Sequence, residues 1–181
     1  MNKKRILNIG CGKETYGTDF VDLYPQRKEV KEVNLDYEKL PYKNNTFEEV
    51  YSAFLFEHLK DPHKVLLEMK RVLKKGGKII LITDNAGFLG FHTKDTLWWK
   101  VHNGGYNKLS GRGEGDLHFG LFTLSHIITH LKEAGFRNIK VKLFKHKRHK
   151  FSFKTSFICN LLKETKFEVM AYPNIYAEAV K

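Results

Sequence analysis

The chain has 181 residues, of which 41% are hydrophobic and 13% are aromatic, as expected for one globular domain with its own core. No apolar run approaches the roughly 20 residues of a bilayer span, and the two cysteines lack metal-ligand or disulfide spacing, so we expect a cytoplasmic protein without a membrane span. The net charge is +12, and residues 91–150, with 12 basic and 4 acidic side chains, carry most of it. This distribution indicates an anionic partner or substrate, although solubility explains the excess equally well.

The first part of the chain predicts four short strands. Apolar or alternating runs occupy residues 5–10, 19–23, 31–36 and 48–54. The link between the first two strands is too short for the usual crossover helix, so we predict no full helix there. We expect Tyr16, which lies in this link, to cover what such a helix would cover.

The rest of the chain alternates helices and strands. Residues 62–75 predict an amphipathic helix that begins at the cap residue Asp61 and ends at Gly76-Gly77. A strand, a helix, a strand, a short helix and a last strand follow, and they are predicted at residues 78–83, 123–136, 137–146, 154–165 and 175–181. The order predicts a single α/β domain over residues 1–181 with a mostly parallel sheet.

Residues 84–120 interrupt this alternation. The segment is rich in glycine, asparagine, histidine and aromatic residues, among them Phe88, Trp98 and Tyr106. Long irregular segments in compact domains are usually functional or disordered, and the aromatic residues argue against simple disorder. We therefore predict a lid or substrate segment here.

Ligands of open α/β sheets bind at the carboxyl ends of the strands, and here those ends carry a coherent set of residues. The first four strands end in Gly10-Cys11-Gly12, Asp22, Asp36 and Ser52. Glycines let a ligand approach the backbone, and the two acids suit ribose hydroxyls and an adenine amino group. The glycine motif alone fits a structural turn equally well. A dinucleotide fingerprint fails because the third glycine is Gly17 and the acid comes too early.

Taken together, these segments resemble the class I methyltransferases that use S-adenosylmethionine, of the small type 11 kind with a shortened first crossover. The resemblance is carried by "LNIGCG" (residues 7–12), "VDL" (21–23), "LDYEKLPYKNNTFEEVYSAFLFEHL" (35–59), "EMKRVLKKGGKIILIT" (68–83) and residues 118–136. It implies a Rossmann-like methyltransferase sheet, mostly parallel with an antiparallel last strand, and a shortened or absent helix between strands 1 and 2. It also implies S-adenosylmethionine as cofactor and S-adenosylhomocysteine as product.

The resemblance further implies a cofactor site of nine residues at the strand ends. These residues are Gly10, Cys11, Gly12, Asp22, Leu23, Asp36, Tyr37, Ser52 and Ala53. The glycine loop would pass the methionine part of the cofactor, and Asp22 would bind the ribose hydroxyls. Asp36 would face the adenine amino group, with the backbone amide of Tyr37 beside it. Ser52 and Ala53 would lie near the sulfonium.

Catalytic residues are harder to identify from the sequence. Methyl transfer from a sulfonium is an in-line displacement, and a general base is needed only if the acceptor must lose a proton. Candidates are His58, His118, His102 and Tyr106, of which we place His58 and His118 at the site. Packing or hydrogen bonding to adjacent loops remains the alternative role for both.

A metal site is not predicted. Glu57, His58 and His63 could be imagined as a cluster, but Asp61-Pro62 between them is better explained as a helix start.

The acceptor stays open between RNA, a phosphorylated or glycan-linked small molecule, and protein. The basic run at residues 145–151 suits phosphates, although a solvated hairpin tip explains it equally well. The alternative function is a methyltransferase-like module that binds nucleic acid or protein without turnover. The aromatic residues of the predicted lid are compatible with a homodimer.

Overall fold

A computed structural model describes residues 4–92, 118–147, 149, 151 and 153–181. Residues 93–117 of the predicted lid, with His102 and Tyr106, lie outside the described residues.

The described chain forms a seven-stranded sheet with the strand order β3-β2-β1-β4-β5-β7-β6. The strands are β1 Ile6–Ile9, β2 Asp19–Asp22, β3 Val30–Glu32, β4 Phe47–Ala53, β5 Leu73–Asp84, β6 Arg137–Phe144 and β7 Asn174–Val180. The pairs among β1 to β5 are parallel, and β7 is antiparallel to both β5 and β6. The predicted mostly parallel sheet with an antiparallel last strand is therefore confirmed.

Four helices accompany the sheet in the described ranges. They are α1 Pro62–Val72, α2 Leu89–His92, α3 Leu124–Glu133 and α4 Phe153–Leu162. The side chain of Asp61 accepts a hydrogen bond from the Lys64 amide at 3.0 Å and caps α1 as predicted. Thr123 caps α3 in a reciprocal capping box with His126. None of these helices is long and apolar enough to cross a membrane.

The end of α1 differs from the prediction. The helix ends at Val72, and Leu73 already has extended backbone angles (φ −66°, ψ 140°). Gly76 and Gly77 do not stop a helix; the Gly76 amide donates to the Lys181 carbonyl at 3.3 Å, and the Lys181 amide donates to Gly77 at 3.0 Å. Pairing with the far end of the chain thus gives these residues strand partners that a local reading cannot see.

The third strand is also shorter than predicted and does not reach Asp36. It ends at Glu32, after which Asn34 organises a turn. The Asn34 side chain accepts the Asp36 amide at 3.2 Å, and its carbonyl accepts the amides of Tyr37 and Glu38 at 3.1 and 2.7 Å. Asparagine favours such turns because its side chain competes with strand hydrogen bonding.

The main core lies on one face of the sheet. Leu7, Ile9, Val50, Ile79 and Leu81 from the central strands pack in one cluster with Leu66 and Met69 of α1 and Ile127 and Leu131 of α3. These side chains are all at most 2% exposed. Both helices therefore hold the sheet from the same side.

The link between β1 and β2 contains no helix, as predicted, and Tyr16 lies against the other face of the sheet. Its phenol donates to Oε1 of Glu49 at 2.5 Å, and its ring meets that of Tyr51 edge-on with centroids 4.9 Å apart. The side-chain amide of Asn8 donates to the Tyr16 carbonyl at 2.9 Å. Tyr16 therefore packs on the sheet beside Glu49 and Tyr51, and the proposal that it replaces the missing helix stays a prediction.

We expect Tyr16→Phe to lower the free energy of unfolding in a pH-dependent way. The hydrogen bond to Glu49, followed by burial, raises the pKa of Tyr16 to about 12. Since the unfolded value is about 10, the contribution is fully present below about pH 10 and is lost as the pH rises towards 12. At about pH 8 the loss should be about 1 kcal/mol, a low figure because Tyr16 is 46% exposed. Urea denaturation at about pH 8 and 11.5 measures this gap, and an equal gap at both pH values contradicts it.

Candidate functional site

The glycine loop after β1 is a tight backbone turn at the carboxyl edge of the sheet. Gly10 and Gly12 have φ of +67° and +49°, a region in which glycine is strongly favoured. The Gly10 amide donates to the Val21 carbonyl at 2.9 Å, which ties the loop to β2. A Cβ at Gly10 would lie 3.1 Å from the side chain of Leu55, so the loop also packs closely against the segment that follows β4.

Asp22 ends β2 and holds this loop directly. Its Oδ2 accepts the Gly12 amide at 2.7 Å, and its Oδ1 accepts the Tyr24 amide at 2.8 Å. Each carboxylate oxygen can accept a second hydrogen bond, so the group retains capacity for a ligand hydroxyl. Leu23, the next predicted site residue, is half-buried beside it.

Arg27 is a loop-stabilising residue that sequence reasoning missed. Its Nη1 donates to the carbonyls of Lys13 and Glu14 at 2.9 and 2.6 Å, and its guanidinium lies 4.7 Å from the ring centroid of Phe20. The shortened crossover is therefore held by a side chain from the next loop. No local signal marks this role, because it depends on β2 and β1 being adjacent.

Cys11 points away from the ligand side of the loop. Its side chain packs with Phe20 and Val30 and is 2% exposed. Burial, assisted by the charge of Asp22, raises the pKa of the thiol to about 11. The thiol stays protonated near neutral pH and is not a nucleophile there.

Asp36 and Tyr37 lie on the turn after β3, next to the segment that follows β4. Oδ1 of Asp36 accepts the Lys60 amide at 3.0 Å, and the Asp36 carbonyl accepts Nζ of Lys64 at 2.9 Å. The phenol oxygen of Tyr37 accepts Nζ of Lys60 at 3.1 Å, and 71% of this residue is exposed. The Tyr37 amide, predicted to face adenine, donates to Asn34 in this structure, so an adenine contact would share that donor.

The end of β4 is a strained turn. Ser52 is 1% exposed and its hydroxyl donates to the Ile9 carbonyl at 3.0 Å, so its side chain braces β1 against β4. Ala53 is 9% exposed. Phe54 has a φ of +57°, which is uncommon for a bulky residue, and its ring lies edge-on to His146 and His149 with centroids 5.3 and 5.9 Å apart. Such strain concentrates at functional sites, and the sequence gives no sign of it.

The two histidines predicted as catalytic come together beyond this turn. His58 closes the 3-10 turn Phe56–His58, and its ring centroid lies 4.6 Å from that of His118. The amides of Phe119 and Gly120 donate to the Glu57 carbonyl at 2.7 and 3.3 Å and hold the two segments together. His63, considered with Glu57 and His58 in the sequence, instead lies near His130, with ring centroids 6.3 Å apart.

Glu57 is the buried member of this group. It is 1% exposed, and its Oε2 accepts the Thr83 hydroxyl at 2.9 Å. One carboxylate oxygen of Glu57, one ring nitrogen of His58 and one ring nitrogen of His118 all lie within 4.8 Å of one another. The site therefore combines a buried carboxylate with two half-buried imidazoles at the carboxyl ends of β4 and β5.

Comparison with known proteins identifies the family. Residues 7–81 match the methyltransferase domain family of type 11. The uncharacterised protein MJ1123 of Methanocaldococcus jannaschii is 31% identical over 150 residues, covering 76% of this chain and 67% of that protein. The demethylmenaquinone methyltransferase of Bacillus mycoides is 28% identical over 153 residues, covering 75% of this chain and 65% of that enzyme. The match thus leaves about a third of each relative's length uncovered.

A solved structure has the same fold. The S-adenosylmethionine-dependent methyltransferase of Archaeoglobus fulgidus superposes with a TM-score of 0.64 at 17% identity, covering 98% of this chain and 86% of that protein. The family match and the relative at 31% identity show that the chain belongs to the type 11 methyltransferase domain family, and the superposition shows that it has the fold of that structure.

Proposed function

We propose that this methyltransferase passes the methyl group of S-adenosylmethionine by in-line displacement to an anionic acceptor held beside His58 and His118. The observation that carries the proposal is the 4.6 Å separation of the two imidazole rings at the edge of the sheet where the glycine loop and Asp22 also lie. Alignment of the acceptor with the methyl carbon supplies much of the rate in such a reaction.

For the cofactor, we propose the same residues that the family resemblance implies, with two differences in role. Asp22 binds the ribose hydroxyls through its remaining acceptor positions, and Asp36 faces the adenine. Ser52 and Cys11 act through the backbone, because their side chains are buried in the sheet or against it. The methionine end runs past Gly10 and Gly12.

An anionic acceptor is favoured by the cations around the histidines. Nζ of Lys60 lies 5.6 Å from the ring centroid of Phe119, the neighbour of His118, and 47% of Phe119 is exposed. The Asn174 side chain accepts the His146 amide at 3.0 Å, and Asn174 pairs with Asp84 at the end of β5, so the basic segment after β6 begins at the same edge of the sheet. Positive charge at this edge attracts a negatively charged molecule.

A labelled methyl transfer assay on fractionated cell extract tests the proposal. We expect label in an anionic fraction with the wild type and a loss of at least about 100-fold with the double variant His58→Ala, His118→Ala, from removal of the groups that position the acceptor. Calorimetry should show that this variant still binds S-adenosylmethionine within about threefold of the wild type. Binding of nucleic acid or protein without any labelled product would support the binding-module alternative and contradict methyl transfer.

A further inference from the structure

The group formed by Glu57, His58 and His118 has the donor set of a metal centre. Two imidazoles and one carboxylate suit Zn²⁺ and other first-row divalent ions, and three protein ligands leave positions open for another molecule. In the tetrahedral arrangement that Zn²⁺ prefers, ligand atoms are roughly 3.4 Å apart, about 1.6 times a typical bond length. One donor atom of each residue lies within 4.8 Å of the other two, so rotation of the imidazole rings that closes these distances by at most about 1.4 Å brings the donors to ligand spacing.

The surroundings hold these donors in place before any ion binds. The Thr83 hydroxyl donates to Oε2 of Glu57 at 2.9 Å and orients the carboxylate, as hydrogen bonds to metal-binding carboxylates commonly do. The amides of Phe119 and Gly120 donate to the Glu57 carbonyl and hold the segment that contains His118 beside Glu57. Hydrogen bonds thus connect Glu57 to Thr83 and to the segment that follows His118. A chance cluster of surface histidines needs no such connections.

Accessibility differs among the three donors in a way that suits an open metal site. Glu57 is 1% exposed, whereas His58 and His118 are half-buried. The carboxylate forms the floor of the site and the imidazoles form its sides. The group also lies close to the cofactor residues, because the Lys60 amide, two residues beyond His58, donates to Asp36.

We infer that Glu57, His58 and His118 bind one divalent transition-metal ion that receives an oxygen atom of the methyl acceptor. The role in catalysis rests on the proposed function, whereas the metal binding itself does not. The acceptor class then narrows to molecules with a hydroxyl that can bind a metal.

The chemistry balances without a further reactant. A metal-bound hydroxyl has a lowered pKa and loses its proton to solvent. The resulting oxygen anion forms a bond to the methyl carbon of S-adenosylmethionine as the carbon–sulfur bond breaks. The sulfur keeps the bonding electron pair, and neutral S-adenosylhomocysteine leaves.

Titration of the metal-free full chain with Co²⁺ and Zn²⁺ tests the inference in the absence of cofactor and acceptor. We expect about one equivalent of Co²⁺ with visible absorption bands, displaced by Zn²⁺. His118→Ala should weaken Zn²⁺ binding by at least about 100-fold, and Thr83→Val by about 10-fold through the loosened carboxylate. The matched control is His63→Ala, which should bind Zn²⁺ as the wild type does because His63 lies by His130.

Two measurements keep the failure of this inference separate from failure of the proposed function. S-adenosylmethionine binding to the metal-free chain is measured by calorimetry, and a thermal melt checks that each variant is folded. Less than about a tenth of an equivalent of Co²⁺ bound by wild type, or equal Zn²⁺ affinity in folded His118→Ala, overturns the metal site whatever the cofactor result. One-equivalent binding that depends on His118 supports it even if no methyl transfer is found.

Discussion

Replacing Asp22 by alanine should weaken S-adenosylmethionine binding by at least about 30-fold, because a carboxylate that accepts ribose hydroxyls contributes about 1.5–3 kcal/mol for each charge-assisted hydrogen bond. The same change removes the acceptor of the Gly12 amide, so the glycine loop loses one of its hydrogen bonds to β2, whereas the bond from the Gly10 amide to the Val21 carbonyl remains. Titration calorimetry of the folded variant measures the change. Asp22→Asn keeps one acceptor oxygen, so its affinity for S-adenosylmethionine should fall between those of Asp22→Ala and the wild type.

The matched control for this prediction is Asp19, at the other end of the same strand. Its carboxylate forms a surface ion pair with Arg5, with Nη2 2.7 Å from Oδ1. Asp19→Ala should cost about 0–1 kcal/mol of stability and leave cofactor affinity unchanged. Wild-type affinity in Asp22→Ala would mean that the carboxylate only braces the loop and that the ribose contacts lie elsewhere.

Much of the fold could be predicted because its signals are local. The cap of α1 at Asp61 needs only a side chain within three residues of the amide it accepts. The missing helix between β1 and β2 follows from the number of residues available. The antiparallel last strand, in contrast, came from the family resemblance and not from residue spacing.

The parts that could not be predicted depend on residues far apart in the chain. Gly76 and Gly77 continue a strand because Lys181 pairs with them. Sequence analysis places His58 and His118 at the site, but the close approach of their rings depends on the hydrogen bonds from the segment after His118 to the Glu57 carbonyl. His63, which is nearer to His58 in the chain, instead lies on α1 and faces α3. Composition and periodicity contain no information about such contacts. Phe54, with its φ of +57°, likewise depends on a distant residue, because its amide donates to the Ile82 carbonyl of β5 at 2.7 Å.

The glycine loop after β1 is held by contacts with residues that are distant in the chain. Arg27 closes the loop from the side of β2, and Asp22 closes it from the strand end. On the β4 side, the loop packs against Leu55 through a glycine. The loop is thus fixed at three points although no helix follows it, and its close contact with Leu55 is the one most sensitive to a small change.

Gly10→Ala should therefore lower the free energy of unfolding by about 2–5 kcal/mol and reduce cofactor binding below detection. The alanine residue has to adopt the φ of +67° that Gly10 has, which costs about 1–2 kcal/mol. It would also lie 3.1 Å from Cβ and Cδ1 of Leu55, and overpacking of this kind adds about 1–3 kcal/mol. Relief of that contact moves the loop away from the cofactor path. Urea denaturation and calorimetry measure the two effects.

Gly76→Ala separates the two causes. Gly76 has a similar φ of +76°, but no atom lies within 4 Å of a Cβ built there, and the residue is at the opposite side of the molecule from the glycine loop in its pairing with Lys181. This variant should lose only the backbone term, about 1–2 kcal/mol, and bind S-adenosylmethionine as the wild type does. Equal destabilisation by the two substitutions would show that Leu55 yields without cost. If Gly10→Ala also retained cofactor binding, the close packing of the loop against Leu55 would not be required for that binding.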